Sequence, residues 1–183
     1  RFFEEESLDC IVIQYLPNIR YLSGFSGSEA LLAIEPELAW FISDSRYTVQ
    51  AGNEVSGFGM IENGRRLDAL SELQVNRSWR RIGFEACHTT VSFHAEMDAA
   101  MPGVELVPLG NDIDCIRNCK DSAELDALEK VAVLASDSMQ NLLSMLQPGV
   151  SESEFAIALE FEMRRNGADG KGFDFIVASG PRG

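Results

Sequence analysis

The sequence predicts a three-layer α/β domain on a mixed sheet, followed by the opening of a second unit of two helices and one strand. Three observations carry this. Short apolar, often β-branched runs alternate with helical segments from residue 10 to residue 107, as when helices cover both faces of a sheet. Two of those runs, Leu31–Ile34 and residues 39–42, are separated only by Glu35-Pro36-Glu37-Leu38. That is too short for a crossover helix, so this pair is antiparallel and the sheet is mixed. After residue 120 the alternation gives way to two helices, each opened by a capping box, and one apolar run of strand type.

In chain order, a short helix at residues 2–7 leads into Cys10-Ile11-Val12-Ile13, a continuous run that suits a strand covered on both faces. Residues 17–28 read as a loop with aliphatic and aromatic anchors. The hairpin of residues 31–42 follows. Asp44 is placed to cap a helix through Tyr47 and Ala51, because a carboxylate at that position accepts from the exposed N–H groups of the first turn. Residues 58–61 form a strand. Residues 65–75 form a helix with Leu67, Leu70 and Leu73 on one side. Residues 82–84 and 104–107 are the last strands, with a helix at 92–101 between them. Residues 111–120 cross to the second unit, so the expected division is 1–115 and 116–183.

The second unit opens on Asp121-Ser122-Ala123-Glu124, a cap residue answered three positions later by Glu. Leu125, Leu128, Ala132, Ala135, Met139, Leu142 and Leu146 recur at helical spacing until Pro148-Gly149 stops the run. Ser151-Glu152-Ser153-Glu154 opens a second helix that ends at Asn166-Gly167. Residues 173–178 are expected to be a strand. A single strand with nothing to pair against is unstable in water, so the second unit is expected to be the incomplete beginning of a domain.

Charge narrows the partners. The chain has 183 residues and a net charge of −14, with acidic residues in excess on both sides of residue 120. That field repels phosphate backbones and anionic headgroups, so no nucleic-acid or membrane partner is expected. No apolar run approaches the roughly 18 residues of a membrane span. The acidic opening, Arg1-Phe2-Phe3-Glu4-Glu5-Glu6, lacks the apolar core of a secretion signal. Cys10, Cys87, Cys115 and Cys119 lack the close pairing of structural zinc modules. Reduced thiols in a cytoplasmic protein are expected.

Several familiar sites are missing. There is no phosphate-binding Gly-x-x-x-x-Gly-Lys loop and no dinucleotide fingerprint. Gly24-Phe25-Ser26-Gly27-Ser28 lacks the spacing of a nucleophile elbow. Two stretches hold the candidate site residues. In residues 18–28, Arg20 and Tyr21 either decorate the edge of an anchored loop or face a ligand or second subunit. In Asp44-Ser45-Arg46-Tyr47, Arg46 is either a surface cation or a guanidinium that clamps a carboxylate through a bidentate fork. Residue chemistry favours the plainer reading of each.

Residues 18–28, Asp44-x-Arg46-Tyr47, Ile116-Arg117-x-x-Lys120-Asp121-x-x-Glu124-Leu125, Pro148-Gly149-x-x-Glu152, Glu162-Met163-Arg164-Arg165-x-Gly167-Ala168 and Phe173-Asp174-x-Ile176-Val177-Ala178-Ser179-Gly180 occur in that order. Together they resemble the proline-specific metallopeptidases: Xaa-Pro aminopeptidase, Xaa-Pro dipeptidase (prolidase) and their relative creatinase. The resemblance implies a creatinase/prolidase-type N-terminal domain joined to the start of an α+β pita-bread catalytic domain. It implies hydrolysis of Xaa-Pro peptide bonds by a water that two divalent metal ions (Mn, Co or Zn) activate. The metal ligands of that family all match positions beyond Gly183. This chain alone is therefore expected to hold no metal, to carry no catalytic residue and to be inactive. Asp169 and Asp174 match no ligand position. The resemblance further implies a homodimer, a proline-containing peptide substrate, and an N-terminal domain that supports oligomers and borders an active site. Arg20, Tyr21, Arg46, Tyr47 and Arg182 are the residues placed at such a border. A non-catalytic pita-bread binding module and a creatinase-like amidinohydrolase are the alternatives.

Overall fold

The computed structural model describes residues 2–183, the side chains of Asp112 and Arg182 excepted. The chain divides into two compact units, residues 1–119 and 120–183.

The first unit is organised on six strands: β1 (Cys10–Ile13), β2 (Leu31–Ile34), β3 (Ala39–Ser43), β4 (Gly59–Glu62), β5 (Arg81–Glu85) and β6 (Glu105–Leu109). Their order across the sheet is β4-β3-β2-β1-β5-β6. β2 runs antiparallel to both β1 and β3, and the other neighbours are parallel. The short connection at residues 35–38 does make the hairpin, in a register that sets Leu32 against Phe41.

Helices α1 (Phe2–Glu5), α2 (Leu16–Ser23), α3 (Thr48–Glu54), α4 (Arg66–Arg77), α5 (Val91–Ala100) and α6 (Asp112–Cys115) flank the sheet. Alternation along the strands divides the core in two. Cys10, Val12, Leu31 and Ile42 pack with Leu70 and Leu73 of α4 and Met97 of α5. Ile11, Ile13, Leu32 and Phe41 pack with Ile19 of α2, Ala51 of α3 and Ile113 of α6. The result is helix, sheet, helix. All four residues of β1 are buried, because this strand lies inside the sheet with a covered face on each side. Burial also pushes the Cys10 thiol up, well above its ordinary value.

The second unit is a pair of helices, α7 (Ser122–Leu142) and α8 (Glu152–Arg165). Both capping boxes form: Asp121 and Glu124 bond each other's backbone N–H groups, as do Ser151 and Glu154. A buried Glu162 ties the pair together. It accepts from Asn141 at 3.0 Å and Asn166 at 3.2 Å and meets Arg165 at 2.7 Å.

The structure corrects three expectations. Residues 17–28 are not a loop throughout, because α2 occupies the first half. Pro17 sits in the first turn, where its missing N–H costs nothing, and Gly24 closes the helix at φ +78°. Residues 111–120 are not a plain crossing, because they include α6. Residues 173–178 are not a strand: they pair with nothing among the described residues, and Phe173 and Ile176 are 76% and 92% exposed. A β-type composition supplies side chains for a sheet but not the neighbouring backbone that makes one. The two compact units meet after residue 119. Backbone bonds from Ile116, Arg117 and Asn118 to Ile113, Asp114 and Cys115 hold that stretch to α6.

Candidate functional site

The two stretches singled out by sequence lie side by side. At the end of α2 the chain turns at Gly24 and buries Phe25, whose ring meets Phe41 edge-on at 4.8 Å and Tyr47 at 5.4 Å. A Cβ on Gly27 would lie 2.2 Å from the Phe25 ring, so that position has room only for glycine. Ser26 then donates to Glu54 through both its N–H and its hydroxyl, each at 2.8 Å. These bonds, the backbone one first, hold the Glu54 carboxyl below its ordinary value, and Arg20 adds a smaller pull in the same direction. Ser28 and Tyr47 share a hydrogen bond of 2.7 Å between their hydroxyls. The loop of residues 24–28 is thus fastened to α3 and to the turn before it.

Arg46 does form a bidentate fork, but with its own chain. Its Nε and NH2 donate to Asp44 at 2.9 and 2.7 Å, and its backbone N–H donates to the same carboxylate. The guanidinium hydrogen bonds, with help from that backbone bond, bring the Asp44 carboxyl down to about 2. Asp44 therefore caps the turn at Ser45–Tyr47, as expected, and also neutralises the cation beside it. The Arg46 guanidinium stands 5.3 Å from the Tyr47 ring centre.

Of the predicted border residues, the structure brings Tyr47 to the loop of residues 24–28 and turns Arg46 onto Asp44. Tyr21 points elsewhere, with its hydroxyl 3.5 Å from the Ile116 carbonyl. The Arg182 side chain lies outside the described residues.

A second polar cluster was not picked out from the sequence. The buried Glu85 carboxylate, at the end of β5, accepts from the N–H groups of Gln14 and Tyr15 at 2.7 and 2.8 Å and from Asn18 Nδ2 at 2.7 Å. Asn18 Nδ2 also reaches Asp114 at 2.9 Å. Asp114 is met by His88 Nε2 at 2.7 Å and by Arg117 at 3.1 Å. Asn18 first, then His88, hold the Asp114 carboxyl at about 2. The His88 ring stacks flat on Tyr15, centre to centre 3.6 Å. Among the described residues no serine, threonine or cysteine side chain hydrogen-bonds the His88 ring, so the cluster fastens α2 and α6 to the sheet and offers no nucleophile. The only prior sign of it was a carboxylate directly following the apolar run 82–84.

Among the described residues no group of three or more His, Cys, Asp or Glu is placed to hold a metal ion. Cys87, Cys115 and Cys119 are exposed and unpaired with one another, and Asp174 is engaged by Lys171 at 2.6 Å. None of the described helices is long and apolar enough to cross a membrane.

Residues 1–119 match the family described as Creatinase/Prolidase N-terminal domain, and residues 126–183 match Metallopeptidase family M24. The chain is 39% identical over 181 residues to the uncharacterized peptidase YqhT of Bacillus subtilis, covering 98% of this chain and 51% of that protein. An Xaa-Pro dipeptidase from Bacillus anthracis superposes with a TM-score of 0.89 at 29% identity, over 94% of this chain and 49% of that one. An X-Pro aminopeptidase from Thermotoga maritima gives 0.86 at 25% identity, over 95% and 51%. The chain spans about half the length of the relatives it matches.

Proposed function

The chain belongs to the creatinase/prolidase family, with the N-terminal domain of that family followed by a Metallopeptidase family M24 segment, and from this we infer that it serves a proline-specific peptidase. The observation that carries the reading is the joint match: one chain holds both segments in order, and it superposes over nearly its whole length on an Xaa-Pro dipeptidase. The substrate is a peptide with proline on the leaving side of the scissile bond. Proline removes the amide N–H there and fixes φ, so a dedicated pocket is needed to read it.

In this reading the first unit supports a homodimer and borders an active site, with Arg20, Tyr21, Arg46, Tyr47 and Arg182 at the border. What supports the first four is their position on or beside α2 and the turn at residues 44–47. What supports a cytoplasmic setting is the set of unpaired cysteines. Divalent metal ions of the Mn, Co or Zn kind belong to the full-length protein, on residues other than those described here.

The test is release of proline from Leu-Pro, and of the first residue from Ala-Pro-Ala, by the full gene product with Mn²⁺, Co²⁺ or Zn²⁺. Cleavage of the dipeptide alone marks a dipeptidase, and cleavage of the tripeptide an aminopeptidase. Hydrolysis of creatine with neither peptide cut would replace the reading with an amidinohydrolase. Specific peptide binding without hydrolysis would replace it with a non-catalytic module. The 183-residue chain alone is expected to cut neither peptide.

A further inference from the structure

The two edges of the sheet are treated differently. β6, at one end, carries Pro108 and pairs its first residue, Glu105, with Arg81. Proline and charge are the usual guards of a strand edge. β4, at the other end, is Gly59-Met60-Ile61-Glu62: it has no proline, and its one charge, Glu62, stands at the end of the strand. Among the described residues, no N–H or C=O of Gly59–Glu62 makes a hydrogen bond beyond its ladder with β3.

A groove of about 190 Å³ runs beside this edge, between β4 and α3, lined by Phe41, Tyr47, Ala51, Gly52, Met60 and Glu62. It is smaller than the roughly 300–1,000 Å³ of drug-sized pockets, and so suits one side chain rather than a whole ligand. Met60 is 47% exposed at its wall. Glu62 accepts from the Thr48 hydroxyl and has no cation within ion-pair distance among the described residues. Nearby Arg46 and Arg66 are already committed to Asp44 and Glu29.

An open strand edge, a side-chain-sized groove between that strand and a helix, and an unmatched carboxylate along it describe one kind of ligand. We propose that the free edge of β4 and its groove bind an extended peptide segment of another protein, with an apolar side chain in the groove and a basic one at Glu62. Added main chain would supply the affinity and the pocket the selectivity. Met60 and Glu62 are two residues apart and share a face, so the apolar and basic residues of the ligand are also two apart. β4 is about 13 Å long at roughly 3.3 Å per residue, which fits a segment of about four to six residues. Charge selects a foreign segment over a second copy. A second copy of β4 carries no lysine or arginine to set against Glu62. The proposal does not rest on the peptidase reading.

The test uses the 183-residue chain and fluorescent peptides of sequence Thr-Val-Thr-Lys-Thr, with Glu replacing Lys in one comparator and Pro replacing the central Thr in another. Binding is read by anisotropy, and backbone exchange at residues 59–62 by NMR. The Lys peptide should slow exchange at residues 59–62, and the Pro peptide should not. Glu62→Gln should weaken the Lys peptide by roughly two- to five-fold, the range of an exposed ion pair, and erase its advantage over the Glu peptide. Met60→Lys should weaken both. Unchanged exchange at residues 59–62 with millimolar Lys peptide would overturn the proposal, as would equal binding of the Pro peptide. A dimer whose residues 59–62 are protected without peptide would give the edge to a second copy instead.

Discussion

Glu85 and Asp114 show how much one carboxylate can hold in place. Glu85 serves three donors: the backbone N–H groups of Gln14 and Tyr15, between β1 and α2, and the Asn18 amide in α2. Replacing it by Gln turns one acceptor oxygen into an N–H₂ that faces a donor. Glu85→Gln should therefore destabilise the first unit by about 2 kcal/mol, the cost of leaving a buried donor unpaired, as read by urea unfolding at pH 7. Asp114 is more exposed, at 27%, so Asp114→Asn should cost less, about 1 kcal/mol. Its larger signature is in pH. The Asp114 carboxyl sits at about 2 in the folded chain against an ordinary 3.8. Because the folded value is the lower one, its contribution is fully present above about pH 4 and disappears as pH falls from there toward 2. The native chain should lose more stability than Asp114→Asn over that interval. Parallel acid-unfolding curves for the two proteins would rule this out.

At the scale of elements, strands were the most legible part of the sequence, because a short apolar run between turn residues has few other uses. α2 was not legible, although its signals were present: Pro17, Gly24 and the serines around them look like loop composition until Pro17 is seen as a helix start and Gly24 as its stop. Residues 173–178 failed in the opposite direction, since their composition suits a strand and no partner strand stands beside them among the described residues. The candidate site divides along the same line. The Asp44–Arg46 pairing was within reach because the residues are two apart. The Glu85 cluster was not, since it joins Asn18 to residues 67 and 96 positions away, and no local pattern encodes that. The assigned role of Gly24 can be tested against another glycine. Gly24 sits at φ +78° with a Cβ position 3.2 Å from the Glu54 carbonyl, whereas Gly52 in α3 has a negative φ and open space. Gly24→Ala should destabilise by about 1 kcal/mol or more, and Gly52→Ala should stabilise by up to about 1 kcal/mol. Thermal melts giving both changes the same sign would refute the assignment of Gly24 as the cap that ends α2.

The whole molecule is uneven in what holds it together. The first unit contains two apolar clusters on either side of a sheet, with Phe25, Leu31, Leu32, Phe41, Leu70 and Ile82 almost fully enclosed. In residues 120–183 Phe155 is the one apolar side chain that is buried among the described residues, while Leu128, Val131, Ile157 and Phe161 are each more than half exposed. Ordering a residue costs about 1–2 kcal/mol of backbone entropy, and a fully buried large apolar side chain returns about 1.5–3 kcal/mol. Burial of that kind is concentrated in the first unit, and α7 and α8 receive little of it. Capping boxes at Asp121 and Ser151 and the Glu162 cluster add only a few bonds of about 1 kcal/mol each. Loss of structure should therefore begin in the second unit. Hydrogen exchange of the intact chain should show α7 and α8 amides opening at free energies several kcal/mol below those of β1 and β5. Limited trypsin digestion should cut first at Lys130 or Arg164, leaving a stable piece that still contains the whole sheet. Exchange in α7 as slow as in β1 would mean that the helix pair is held by more than the contacts within residues 120–183.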